Sequence, residues 1–131
     1  MANWQKWIEL AKDSQNAAQK LKDEHHRSCV SRIYYSAYQA VTAVLLYSKC
    51  VPPATREAWN HAETPGMLAV HCKTVLKRRD QRQDLARRLG TLYKLRVIAD
   101  YISAEDIDQT TVTNALKDGN FLIKVAQDIM Q

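Results

Sequence analysis

The chain has 131 residues and a formal charge of +5, so a single domain over residues 1–131 is expected. Only 3 glycines and 3 prolines, with 46% apolar residues, fit an all-helical globule large enough to bury its own core. No apolar run approaches the ~18 residues of a membrane span, and the opening Met1-Ala2-Asn3-Trp4-Gln5-Lys6 has no apolar signal-peptide core, so the expectation is a cytoplasmic protein without membrane contact.

The first helix is predicted to start after Asn3, a good N-cap residue. Trp4, Trp7, Ile8, Ala11, Ala18 and Leu21 then fall on one stripe at helical spacing. The two tryptophans suit a core or a dimer seam better than ligand stacking. A second helix runs from about residue 26 to 49, with Val30, Ile33, Tyr34, Ala37, Val41, Val44 and Leu45 inward. Small residues at Ser36, Ala37, Ala40 and Ala43 allow a neighbouring helix to come close. Val51-Pro52-Pro53 ends it, because neither proline can donate to the helix and the first restricts Val51. Residues 51–64 have no readable structure. Thr64-Pro65 reads as an N-cap followed by proline at the first helical position, opening a third helix to about residue 77 that buries Leu68, Val75 and Leu76. The fourth spans about 80–101, with Leu85, Leu89, Leu92 and Ala99 inward. Ser103-Ala104-Glu105-Asp106 resembles a capping-box start for a fifth helix ending near Met130, with Val112, Leu116, Ile123, Ala126 and Met130 on one face. No segment sustains period-two alternation, so the expected architecture is an up-and-down bundle of about five helices.

Two of these helices carry short signatures: Ser31-Arg32-Ile33-Tyr34-Tyr35-Ser36-Ala37 on the second and Arg96-Val97-Ile98-Ala99-Asp100-Tyr101 on the fourth. Together, and in this order, they resemble the HEPN proteins, small helical domains of prokaryotes and some eukaryotes. The likeness is greatest to the branch that reads S-R-x-Y-Y-x-A and R-x-x-A-D-Y and usually lacks the nuclease motif. The resemblance implies a helical bundle, a homodimer, and a place in a toxin–antitoxin or defence-type system. It also implies RNA or a nucleotide as ligand, with a nucleotidyltransferase-type protein as possible partner.

Active HEPN nucleases resemble one another in an arginine followed four to six residues later by a histidine. Metal-free RNA cleavage needs a base for the 2′-hydroxyl proton and a cation for the phosphate, which these two supply. Arg96 carries over, but positions 100–102 are Asp100, Tyr101 and Ile102. The missing histidine weighs against an enzyme; were there one, it would be a metal-independent endoribonuclease. Arg96 and Asp100 share a helix face, as a structural ion pair or as part of a polar cleft. In the cleft reading Arg96 meets a phosphate, Tyr101 or Tyr35 stacks a base, and Arg32 and Gln39 join them. Arg56 and His61 form an arithmetic Arg-x4-His match within the proline-bounded connection, which keeps His61 as a catalytic candidate beside Arg96. With Trp59 and Asn60 it also resembles a histidine near the start of the third segment in this branch, for which capping or packing is the expected role. His25 and His26 are expected at the surface, and His71 near the apolar face of the third helix.

Residues 77–96 hold eight cations, including Lys77, Arg78, Arg79 and Arg82, against Asp80 and Asp84. That run is either a solvated helix end or a surface for a phosphate-bearing partner, RNA above all. Cys29, Cys50 and Cys72 form no C-x-x-C pair and are expected as buried, reduced thiols. No metal and no cofactor are expected, since His and carboxylate groups lack ligand spacing. The reading is therefore a non-catalytic RNA- or nucleotide-binding or partner-docking module. An endoribonuclease and a purely structural interaction protein are the alternatives.

Overall fold

The Asn3 side chain accepts from the Gln5 N–H at 2.9 Å, and α1 (Trp4–Leu21) starts there as the sequence predicts. The computed structural model describes residues 3–131; Met1 and Ala2 of the opening segment lie outside them. After α1 come α2 (His26–Tyr47), α3 (Thr64–His71), α4 (Arg79–Tyr101) and α5 (Gln109–Ile129). Among the described residues there is no strand, and the fold is the helical bundle read from the sequence.

α2 is the centre of the bundle, packed by α1, α4 and α5 together. Its apolar residues and its small ones are both buried, Ser36, Ala37, Ala40 and Ala43 included, so neighbours lie against it on several sides. The short link at residues 22–25 makes α1 its antiparallel partner. α5 crosses α2 where Gly119 meets Ile33, so closely that a Cβ on the glycine would stand 2.7 Å from Ile33 Cγ2. The tryptophans of α1 are half-buried, and Trp4 sets its ring edge-on to Tyr47 at 5.1 Å.

Four predicted boundaries move. α2 ends at Tyr47, and Lys49 beyond it takes a left-handed φ of 70°. Thr64 is the first residue of α3, not its cap: its hydroxyl donates back to Asn60 O at 2.7 Å while Asn60 Oδ1 accepts from the Glu63 N–H at 2.8 Å. α3 ends at His71, and Arg82 satisfies backbone carbonyls in its last turn and in the turn that follows. Arg82 Nε donates to Ala69 O at 3.0 Å, and Nη1 donates to Leu76 O and Lys77 O at 2.7 and 3.1 Å. α5 begins at Gln109 rather than near Ser103, with Asp108 as its cap accepting from the Thr111 N–H at 2.8 Å. The predicted capping box is not the start of the helix; Arg27 of α2 instead donates to the Ser103 and Glu105 carbonyls and ties this segment to α2. The same guanidinium reaches Ile98 O, Ala99 O and Ile102 O, closing the C-terminal end of α4.

Candidate functional site

The C-terminal end of α4 faces the middle of α2, and the two signatures meet there. Arg96, with only 13% of its side chain exposed, donates from Nε to Asp100 Oδ2 at 3.0 Å. The i, i+4 spacing of the pair makes this contact local to the helix. Nη2 donates to Tyr35 OH at 3.0 Å and to Tyr101 OH at 3.4 Å. The guanidinium lies 5.4 Å from the Tyr35 ring centroid and 5.3 Å from that of Tyr101, within cation–π range. Arg32, one turn before Tyr35, brings a second guanidinium to 4.8 Å from the same Tyr35 ring. Asp100 also accepts from Ser31 Oγ at 3.2 Å. Arg32, Tyr35, Arg96, Asp100 and Tyr101 thus form one cluster. Tyr101 is 71% exposed, so its ring is open to a stacking partner.

Behind this cluster lies a tyrosine cage that the sequence reading missed. His61, from the connection between α2 and α3, has Nδ1 2.5 Å from Tyr34 OH. The rings of Tyr34, Tyr35, Tyr38 and Tyr93 stand 5.4, 5.9, 4.6 and 5.9 Å from its own. Tyr38 OH donates to Trp59 O, and Trp59 is buried. The segment that had no readable structure is therefore pinned to α2 by two tyrosines one turn apart. Burial, and then the charge of Arg96, lower the His61 pKa below the usual histidine range. Burial pushes the Tyr34 phenol well up, and the neighbouring Tyr38 and Tyr93 add to this, so Tyr34 keeps its proton. The sequence placed Tyr34 on the core stripe of α2 and Tyr35 on its cleft side; nothing local showed that a histidine joins them.

A profile of the HEPN domain matches residues 4–129, from the first residue of α1 to the last of α5. The chain belongs to the HEPN domain family. None of the curated proteins searched matches it.

In this HEPN domain the remaining predicted site residues are dispersed. Arg82 is 5% exposed and its guanidinium serves the three carbonyls around the end of α3, so it cannot act as a surface cation for RNA. Arg78 is exposed but pairs with Asp80 at 2.5 Å. Arg87 and Arg88 both pair with Asp84, at 2.7 and 2.9 Å, and Arg88 reaches Asp118 at 2.6 Å. Lys77 and Arg79 are exposed and make no ion pair among the described residues. They sit at the other end of α4 from Arg96, about 25 Å away at 1.5 Å per residue. The Arg56–His61 match is not a working pair in this geometry: Arg56 faces Glu63 at 3.8 Å, while His61 faces Tyr34.

Gln39 leaves the cleft for α1. With its amide nitrogen turned to Leu10 O at 3.0 Å and Tyr35 O at 3.1 Å it donates to both, and Ser14 Oγ lies at 2.8 Å. His26 is half-buried rather than at the surface, with Nδ1 3.1 Å from Ile107 O and Nε2 3.1 Å from Gln109 Oε1. His71 is exposed, not against the apolar face. All three cysteines are free; Cys29 and Cys72 are buried, their pKa values raised by that burial to about 11, and Cys50 is half-buried. Among the described residues no group of three or more His, Cys, Asp or Glu could hold a metal ion, and no helix is long and apolar enough to cross a membrane.

Proposed function

We propose that this HEPN chain is a single-domain, non-catalytic binding module that takes RNA or a nucleotide at the Arg96 cluster. In this reading it acts in the cytoplasm as a homodimer within a toxin–antitoxin or defence-type system, where a nucleotidyltransferase-type protein is a fitting partner. One observation carries the ligand class. Two guanidiniums, Arg32 and Arg96, lie on the Tyr35 ring, and Arg96 also holds the exposed ring of Tyr101. Cations beside an open aromatic face suit a phosphate with its attached base. Arg96 Nη1 and the Arg32 guanidinium have no hydrogen-bond partner among the described residues, and no buried side-chain polar atom there lacks one. These donors therefore reach solvent and remain available to a ligand.

The second reading, a metal-independent endoribonuclease, is favoured by one feature: His61 and Arg96 both lie against the Tyr35 ring, at 5.9 and 5.4 Å from its centroid. Incubation of the protein with a mixed RNA pool in EDTA, beside an Arg96→Ala control, separates the two. The expected result is intact RNA with both proteins, and RNA affinity reduced about tenfold or more by Arg96→Ala, which removes charge-assisted hydrogen bonds to phosphate. Cleavage by the wild type alone would replace the binding reading with the enzyme. Unchanged affinity in a folded Arg96→Ala protein would leave the cluster a structural tie between α2 and α4.

A further inference from the structure

Tyr34 is 0% exposed, and among the described residues the one partner of its hydroxyl is His61 Nδ1. A phenol carries a single proton, which must be donated somewhere in a buried position. Donation from Tyr34 to Nδ1 satisfies both groups and places the imidazole proton on Nε2. The reverse arrangement, Nδ1–H donating to the phenol oxygen, leaves the phenolic proton without an acceptor inside the bundle. An imidazolium meets the same conflict, since it too carries a proton on Nδ1. Nε2 makes no hydrogen bond among the described residues, yet no buried side-chain polar atom there is unsatisfied, so Nε2 opens to solvent. His61 and Arg96 both lie against Tyr35: the His61 ring is 5.9 Å from the Tyr35 centroid and the guanidinium is 5.4 Å from it.

We infer that Tyr34 fixes His61 as the neutral tautomer protonated on Nε2, and that His61 thereby serves the Arg96 cleft as a hydrogen-bond donor to a phosphate oxygen. This rests on the phosphate-binding reading of the cluster and deepens it. A base would need a lone pair on Nε2 to take the 2′-hydroxyl proton; the Tyr34 hydrogen bond leaves an N–H there instead. The groups around the imidazole agree with a neutral ring. Tyr34, Tyr35 and Tyr38 of α2 and Tyr93 of α4 surround it, Arg96 is the charge acting on it, and burial joins Arg96 in disfavouring the charged form. The nearest carboxylate on its own segment, Glu63, faces Arg56. Tyr34 acts through His61 and is a positioning residue.

Nitrogen NMR of the full chain labelled at histidine tests the tautomer without any ligand. The expected spectrum shows His61 neutral and protonated on Nε2 at neutral pH, taking up charge only at a lower pH than a free histidine does. A proton on Nδ1, or a charged ring at neutral pH, would overturn the inference. Fluorescence anisotropy with a short labelled RNA, and competition by adenosine monophosphate, then test the role. His61→Ala should weaken RNA binding about tenfold, as for one hydrogen bond to a charged acceptor. His61→Gln, which keeps an N–H near the position of Nε2, should stay within about threefold of wild type. Equal affinity of His61→Ala and wild type would sink the donor role, as would a His61→Gln loss as large as that of His61→Ala. Tyr34→Phe should relax the tautomer in the NMR spectrum even if the variant is less stable. Absence of RNA and nucleotide binding by the wild type would remove the phosphate reading and the donor role with it, whatever the tautomer. Competition by the mononucleotide marks a free nucleotide as sufficient, and its failure marks the RNA backbone as the phosphate source.

Discussion

Arg79 and Arg82 belong to one basic run, yet only Arg79 reaches solvent. The difference is set by what each guanidinium finds. Arg82 turns inward to three carbonyls that α3 and the turn after it leave without helical partners. Removing that donor leaves buried acceptors unsatisfied, so Arg82→Met should destabilise the protein by about 3 kcal/mol, lowering its melting temperature by roughly 10 °C. Arg79→Met should stay within about 0.5 kcal/mol, as exposed substitutions do. Equal melting temperatures for the two would refute the capping role. The sequence could not distinguish these arginines, because the acceptors are backbone atoms whose positions depend on the fold. Arg27 escaped notice for the same reason. Arg96, Asp100 and Tyr101 were legible because their contacts lie within one helical turn or so, and Arg32 and Tyr35 because they share a helix side. His61 was legible as a candidate and as a packing residue, but its tyrosine partners were not, since they come from α2 and α4.

Elements were legible where an apolar stripe was long and boundaries were not. The inward faces of α2 and α4 follow directly from their spacing, and Leu85, Leu89, Leu92 and Ala99 are buried as read. The start of α5 slipped: Arg27 ties the chain to α2 at Ser103 and Glu105, and Asp108 caps the helix. Helical glycines show the same dependence on surroundings. At Gly90 a Cβ would meet nothing within 4 Å, whereas at Gly119 it would strike Ile33 Cγ2 at 2.7 Å. Alanine gains about 1 kcal/mol of helix propensity at either site. At Gly119 the overpacking cost of about 1–3 kcal/mol opposes it, and Ile33 is β-branched and 2% exposed, with no room to turn away. Gly90→Ala should therefore raise the melting temperature by a few degrees and Gly119→Ala should lower it. Two upward shifts of equal size in calorimetry would mean that α2 and α5 are not held as closely as described.

At the scale of the whole molecule, the candidate ligand-binding cations fall in two places joined by α4. Arg32 and Arg96 lie at one end, while Lys77 and Arg79 lie about 25 Å away at the other. The ion pairs of Arg78, Arg87 and Arg88 reduce the field between them. A mononucleotide is too small to reach both ends, whereas a single strand of roughly ten nucleotides is long enough to follow the helix between them. Ligand length is therefore the variable that separates a working basic surface from a solvated one. Lys77→Glu with Arg79→Glu should weaken binding of the longer strand and leave mononucleotide binding unchanged. The slope of log affinity against log salt should also fall by about 0.7 for each phosphate that is no longer neutralised. Arg96→Ala should weaken both ligands. If the double reversal left the longer strand's affinity and salt slope untouched, binding would be confined to the Arg96 end, and Lys77 and Arg79 would be no more than a solvated helix start. Weakening confined to the longer strand would instead show a nucleic acid lying along α4, with its recognition concentrated where the two signatures meet.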